Sequence, residues 1–268
     1  MPNVCTPRAL PRDLWLQAAQ VAMETNPANR PPGLREGELP ELPAGERERL
    51  SIDIQRYWGS KGVHLTVGFI DTPDQALRDR ILAHLNAWNR RANVTFVASN
   101  VDPQVRIARF TNAESGGNGG YWSYLGTDIL TIPRGQPTMN LQSFTMATPE
   151  EEYRRVVRHE AGHTLGFPHE HMRAGIIKRL DPAKVIPAFM ASQGWTEQEV
   201  IDQILTPLHE SPFFLGPVIG TLKADEDSIM CYQLEGDLTF DGEPVLGGFD
   251  ITDADHEFAA LCFPPPGA

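Results

Sequence analysis

Three histidines and a glutamate stand at a fixed spacing near the middle of the chain. They are His159, Glu160, His163 and His169, and Gly166 lies between the last two histidines. On a helix of 3.6 residues per turn, His159 and His163 lie one turn apart on the same face. Gly166 falls where a helix end needs a residue that tolerates positive φ, and the turn there can bring His169 back toward that face. The spacing therefore predicts a helix that ends in a glycine turn.

This arrangement of side chains is typical of a catalytic zinc site. Zinc accepts histidine nitrogens at about 2.0 to 2.1 Å, and a catalytic site uses three protein ligands and keeps one position open for water. Glu160 neighbours His159 and points away from the shared histidine face, so it is predicted to act as the general base for the zinc-activated water and not as a ligand. We expect one catalytic Zn²⁺ and hydrolytic chemistry.

The wider pattern resembles a known family. H-E-x-x-H-x-x-G-x-x-H followed by a methionine turn marks the metzincin zinc peptidases, and residues 228–232 look like that turn. Within the metzincins, Phe167, Glu170, His171 and Arg173 around the third histidine are similar to the astacins. The resemblance implies a zinc-dependent endopeptidase that acts on a polypeptide substrate.

The same resemblance implies an α+β fold with two lobes around a cleft. It covers roughly residues 50–268. The upper lobe, 50–166, would hold a twisted mixed sheet and the active-site helix above the cleft, and the lower lobe, 167–268, would be mostly helical or irregular. Residues 1–49 form a separate N-terminal arm, in which a helix over 11–25 precedes a polar linker rich in proline and glycine.

Individual roles also follow from the resemblance. Met230 would form a hydrophobic floor under the zinc, and Tyr232 would be a hinged fifth ligand that swings away to stabilise the reaction intermediate. Glu170 matches an astacin glutamate that bonds a buried mature N-terminus. Without the zinc motif, Met230 would be an ordinary core methionine and Tyr232 a half-buried phenol. For Glu170 the alternative is a solvated carboxylate next to a positive site.

A cleft-lining strand is expected just before the motif. An extended peptide could add to the edge of such a strand in antiparallel fashion through main-chain hydrogen bonds. The alternative is an edge strand blunted by aromatic packing. The predicted strand consists of Tyr121, Trp122, Ser123, Tyr124 and Leu125.

Other elements are readable from periodicity and capping signals. Apolar alternation predicts strands, apolar residues at helical spacing predict helices, and Thr148 is predicted to cap the zinc helix. The predicted strands cover 64–70, 93–97 and 105–110; helices are predicted after Thr72 to Gln75, over 181–192 and 195–206, and from Thr252 onward.

The three cysteines, Cys5, Cys231 and Cys262, are an odd number, so at most one internal disulfide can form. Some metzincin zymogens use a cysteine from an N-terminal segment to occupy the open zinc position. Cys5 is therefore a candidate inhibitory zinc ligand, with a disulfide or a free thiol as the alternatives. Cys231, inside the methionine turn, is predicted to be a small buried hydrophobe.

Charge and hydropathy limit the partners. The net charge is −12 and the basic residues form no cluster, which disfavours nucleic acid, and the chain has no run of 18 apolar residues to insert in a membrane. No signal-peptide pattern opens the chain, so localisation stays open and only the resemblance favours export. The oligomeric state is equally open.

Two other functions compete with peptide hydrolysis. A catalytically idle, zinc-containing peptide-binding module would use the same strand, but an intact Glu160 argues against it. A zinc hydrolase of a non-peptide amide or ester is compatible with H-E-x-x-H, whereas His169, Gly166 and Met230 together favour peptide hydrolysis.

Overall fold

The structure, a computed structural model, describes residues 5, 8, 10–29, 56–208, 210 and 224–267. The strands are β1 (Val63–Phe69), β2 (Val94–Ala98), β3 (Val105–Ala108), β4 (Tyr121–Ser123) and β5 (Met139–Leu141). The helices are α1 (Trp15–Thr25), α2 (Gln75–Leu85), α3 (Asn112–Ser115), α4 (Glu150–Glu152), α5 (Arg158–Leu165), α6 (Ala174–Ile177), α7 (Pro182–Gln193), α8 (Glu197–Val200) and α9 (Asp253–Cys262).

The strands form one mixed sheet in the order β2-β1-β3-β5-β4. The pairs β1–β2, β1–β3 and β3–β5 are parallel, and β4 runs antiparallel to β5, with Tyr121 opposite Leu141. Every residue of β3 is buried, as expected for a parallel strand covered on both faces. The mixed sheet predicted for the upper lobe is confirmed, and β4 lies at one end of it.

Helix α2 covers the sheet as its apolar spacing predicts. The Asp74 carboxylate caps it by accepting the Leu77 N–H at 2.8 Å. Leu77, Ile81 and Leu85 are buried along one face, and they share a core with the strands and with Trp88. Burying three such side chains contributes on the order of 5 to 9 kcal/mol before the entropy cost of ordering.

The zinc helix begins at Glu150 and continues to Leu165 through a π-helical turn at Tyr153–Val157. The prediction that Thr148 caps this helix is wrong, because its hydroxyl accepts the Thr145 N–H at 3.0 Å in the preceding turn. The π turn is absent from the sequence prediction. Such turns are frequent near functional sites.

The lower lobe is built from α6, α7, α8 and a π turn at Ile201–Leu205 that extends α8. Phe189, Val200 and Ile204 are fully buried in its core, and Cys5 and Tyr232 belong to the same apolar cluster. The closing helix α9 has the predicted start at Thr252.

The helix of the N-terminal arm packs on the upper lobe. Ala18 and Ala22 of α1 are buried, and Ala18 shares a small core with Leu10 and Ile132. The Asn29 amide donates to the Tyr57 carbonyl at 2.8 Å. The predicted linker beyond residue 29 lies outside the described residues, and none of the described helices is long and apolar enough to cross a membrane.

Candidate zinc centre

The three motif histidines converge on one point. Nε2 of His169 lies 3.1 Å from Nε2 of His159 and 3.0 Å from Nε2 of His163. Nitrogens bound tetrahedrally to one zinc ion lie about 3.3 Å apart. The three imidazoles therefore need to move apart only slightly to bind the ion. All three side chains are buried. The donor set therefore fits one catalytic zinc.

Backbone carbonyls determine which ring nitrogen faces that point. Nδ1 of His159 lies 2.7 Å from the Ile229 carbonyl, and Nδ1 of His163 lies 2.7 Å from the Phe167 carbonyl. A carbonyl oxygen only accepts, so each Nδ1 carries the proton and each Nε2 offers its lone pair. Burial lowers the pKa of His163 to about 4 and the pKa of His159 well below its usual value. Both rings are thus neutral, as metal ligands must be.

Two glycines shape the helix around the ligands. Gly166 ends α5 at φ +104°, where its N–H donates to the His163 carbonyl while the Phe167 N–H donates to the Gly162 carbonyl. This bond pair is a Schellman motif and turns the chain toward the third histidine. A Cβ at Gly162 would stand 2.4 Å from Sδ of Met230. The methionine therefore packs directly against the zinc helix.

Asp255 connects the methionine turn to α9. Its carboxylate accepts the Ser228 hydroxyl at 2.6 Å and the Ile229 N–H at 3.0 Å. The same residue forms a capping box with Thr252. Sequence reasoning identified the cap and missed the second role, although the capping signal already placed Asp255 at the start of the helix.

Glu160 lies beside the histidines without joining them. Its Oε2 accepts the Cys5 thiol at 3.5 Å, while its buried Oε1 has no hydrogen-bond partner among the described residues. Burying a carboxylate oxygen without a partner costs free energy, unless a water or a substrate donates a hydrogen bond to it. Burial raises the pKa of Glu160 to about 8, and a positive ion nearby would lower it.

Cys5 lies at the histidine cluster. Its Sγ and one nitrogen of each of His159, His163 and His169 lie within 4.8 Å of one another, and all four residues are buried. The three cysteines are free thiols, so the alternative of a Cys5 disulfide is wrong. Burial raises the pKa of the Cys5 thiol well above its usual value, whereas a bound zinc ion favours the thiolate.

Tyr232 contacts both the arm and a candidate ligand. Its hydroxyl donates to the Cys5 carbonyl oxygen. Its ring centroid lies 4.4 Å from that of His169 and 4.0 Å from that of His171. The alternative of a half-buried phenol is wrong, since Tyr232 is 4% exposed.

The predicted substrate strand is shorter than expected. β4 contains Tyr121, Trp122 and Ser123, whereas Leu125 caps a short 3₁₀ helix at Gly126–Leu130. Tyr124 still continues toward the sheet, because its N–H donates to the Thr138 carbonyl at 3.0 Å. The five-residue strand was therefore predicted two residues too long. Cys5 forms a parallel β-bridge with Tyr121.

Glu170 is largely buried. Its Oε1 accepts the Asp225 N–H at 3.1 Å and lies 3.6 Å from Nη1 of Arg173. Burial raises the pKa of Glu170 to about 7. The alternative of a solvated carboxylate is wrong, and Cys231 is buried as predicted.

Comparisons with known proteins agree with this site. No protein-family model matches the chain. It is 35% identical over 97 residues to zinc metalloproteinase nas-27 of Caenorhabditis elegans; the match spans 36% of this chain and 19% of that relative. A structure of myroilysin superposes with a TM-score of 0.69 at 27% identity, covering 80% of this chain and 98% of the other. A crystal structure of myroilysin gives 0.55 at 27% identity, covering 81% and 90%.

The histidine triad, the glycine turn, the methionine turn and the mixed sheet define a metzincin fold, as the motif predicted. Within that fold class the chain resembles zinc metalloproteases, since it is similar in sequence to nas-27 and in fold to myroilysin.

Proposed function

We propose that this chain is a zinc-dependent endopeptidase held latent by its own N-terminal arm, with Cys5 as a fourth zinc ligand. The observation that carries the proposal is the cluster of one thiol and three imidazoles around a single point. Three histidines leave one zinc position open for chemistry, and a thiolate there closes the tetrahedron. An open site binds water and substrate, whereas the closed one does not.

The direction of the arm supports this reading. Cys5 pairs with Tyr121 in parallel fashion at β4. The substrate is expected to add there in antiparallel fashion, so the arm runs in the opposite direction and occupies the same edge. Arg8 adds an anchor, since its guanidinium donates to Asn118 at 2.8 Å and lies 4.4 Å from the Trp122 ring centroid.

In the proposed reaction, water adds to the peptide carbonyl and the C–N bond breaks. A bound zinc ion supplies a Lewis acid that acidifies water and polarises the carbonyl. Glu160 takes a proton from the attacking water and hands it to the leaving amine. The Tyr232 hydroxyl, once released from the Cys5 carbonyl, donates to the oxygen on which negative charge develops.

The function itself is tested with an unfolded protein as substrate. We expect Cys5→Ala protein with one equivalent of zinc to cut it at internal bonds, and a zinc chelator to stop the cleavage. If the protein binds zinc and the peptide without cleaving it, the idle peptide-binding module is correct. Hydrolysis of esters or small amides without cleavage of peptides would favour the non-peptide hydrolase.

Latency predicts that Cys5→Ala is more active than the intact chain. A tethered ligand acts at an effective concentration on the order of millimolar, so the open form is a minor one. We expect an initial rate at least about tenfold higher for the variant, with one zinc still bound. The measurement is peptide cleavage at equal zinc loading. A mercurial reagent that modifies thiols should activate the intact chain in the same way.

Cys262→Ala is the matched control, because it also removes a buried thiol but lies in α9. Its rate should equal that of the intact chain. Deletion of residues 1–49 is a poorer test, since it also removes the buried face of α1. Equal rates for the intact chain and Cys5→Ala would exclude the latency proposal and leave the arm as packing.

Tyr232 has to be tested without the Cys5 block, because its hydroxyl also holds the arm. In the Cys5→Ala background, Tyr232→Phe should lower kcat by roughly 100- to 1000-fold, the effect of losing one oxyanion donor. Zinc content should not change. Tyr57→Phe is the control, since it loses a hydroxyl that donates to the Cys262 carbonyl and not into the zinc site. An unchanged kcat would reduce Tyr232 to a packing residue.

A further inference from the structure

His171 packs face to face on the tyrosine of the zinc centre. It is fully buried and lies in the short 3₁₀ helix Glu170–Met172, immediately after the third histidine. The ring planes of His171 and Tyr232 are inclined by 22°, and their centroids are 4.0 Å apart. The contact between Tyr232 and His169 is different, because those planes are inclined by 57°. The stacked partner of Tyr232 is therefore His171.

The lower lobe holds the His171 ring in place. Nε2 of His171 lies 3.0 Å from the carbonyl oxygen of Gln203, and this nitrogen must carry the proton because a carbonyl only accepts. Gln203 lies in the π turn Ile201–Leu205, near the end of its helix. Carbonyls in the last turn of a helix have no partner within the helix, so the imidazole satisfies one of them.

His171 is not placed as a zinc ligand. Its protonated Nε2 is used by Gln203, and the cluster that can hold a metal ion contains Cys5 and the three motif histidines without it. Packing alone does not require a histidine here, since an aromatic hydrocarbon ring would stack as well. The ring N–H makes the difference, because it ties the stacked ring to the π turn that extends α8.

We propose that His171 is a positioning residue that sets the plane of the Tyr232 phenol for catalysis. This inference rests on the proposed function, in which Tyr232 donates to the reacting carbonyl oxygen. While the arm is docked, the Cys5 carbonyl also holds the hydroxyl. Once the arm leaves, that bond is lost and the stack on His171 remains. The phenol then keeps its orientation while its hydroxyl becomes available to the substrate.

The kinetic test uses the Cys5→Ala background. His171→Ala removes both the stack and the bond to Gln203, and we expect kcat to fall about 10- to 100-fold with little change in KM, since a small misplacement of a catalytic group costs up to about 100-fold. His171→Phe retains a flat ring without the N–H to Gln203, so it should recover only part of the lost kcat. A higher KM or a lower zinc content, with kcat unchanged, would contradict the positioning role.

A double-mutant cycle with Tyr232→Phe separates positioning from general packing. If His171 acts through the Tyr232 hydroxyl, His171→Ala should change kcat by less than about twofold once that hydroxyl is absent. If the two losses multiply instead, His171 acts independently of Tyr232, and the inference is overturned.

A spectroscopic measurement decides the contact without using activity. The chain has 5 tyrosines, so fluorotyrosine labelling gives a small set of fluorine NMR signals, and Tyr232→Phe identifies the relevant one. His171→Ala should shift that signal, because a stacked ring at 4.0 Å alters its shielding. His64→Ala, a change at an exposed histidine of β1, should leave it in place. An unmoved signal in His171→Ala would refute the inference. An inactive Cys5→Ala protein would instead refute the proposed function.

Discussion

Glu160→Gln is expected to lower peptide cleavage by roughly 100- to 10,000-fold, the range over which loss of a general base acts. Glutamine has nearly the same shape as glutamate, so it fits the buried space beside the histidines and cannot accept a proton. Zinc content should stay at one per chain, because Glu160 is not in the ligand cluster. Cleavage is measured in the Cys5→Ala background, where no thiol can occupy the open zinc position.

Glu151→Gln is the matched control, since Glu151 is exposed in α4, the first segment of the continuous helix that also contains Glu160. It changes the same charge and should leave the rate within about twofold. Substantial residual turnover in Glu160→Gln, with zinc bound, would mean that another group takes the proton. Loss of zinc in Glu160→Gln would mean that the carboxylate contributes to the metal shell after all.

The histidine cluster could be predicted from the sequence because its spacing encodes its geometry. A one-turn separation places His159 and His163 on one helix face, and the positive φ observed at Gly166 is the property that glycine supplies. The start of α2 and of α9 could also be predicted, because capping is a contact between near neighbours. Local chemistry was sufficient for all of these features.

Contacts between distant parts of the chain could not be predicted in the same way. The bond between Cys5 and Glu160 joins residues 155 positions apart. A zinc-avid thiol on an arm suggests such a contact without specifying it, since a disulfide or a free thiol fits the same sequence. The second role of Asp255 and the stack of His171 on Tyr232 are likewise products of tertiary packing.

Very short elements escaped prediction for a different reason. β5 spans Met139–Leu141, which is too short to show an alternating pattern, and all of its residues are buried. The π turn at Tyr153–Val157 has the same apolar residues as an ordinary helical turn. Both features still position the site, because β5 carries the edge strand β4 and the π turn leads directly into the ligand helix.

His163→Ala and Cys5→Ala should have opposite consequences for zinc, and the contrast tests whether the centre is catalytic or structural. In His163→Ala, the remaining candidate ligands are His159, His169 and Cys5, and the surviving geometry is no longer that of the histidine triad. We expect zinc affinity to fall by more than about 100-fold, beyond the usual loss from changing a residue that only supports a ligand. Zinc content after dialysis, measured by atomic absorption, should drop toward zero.

Cys5→Ala should instead retain one zinc, because three histidines are a complete protein ligand set for a catalytic ion. His64→Ala should behave like the intact chain, since His64 is exposed and its Nδ1 lies 2.5 Å from the Thr95 hydroxyl in the sheet. If Cys5→Ala loses zinc as completely as His163→Ala, the thiolate is an obligatory ligand of a closed structural site. The open position that hydrolysis needs would then not exist, and the latent-enzyme proposal would fail together with the catalytic one.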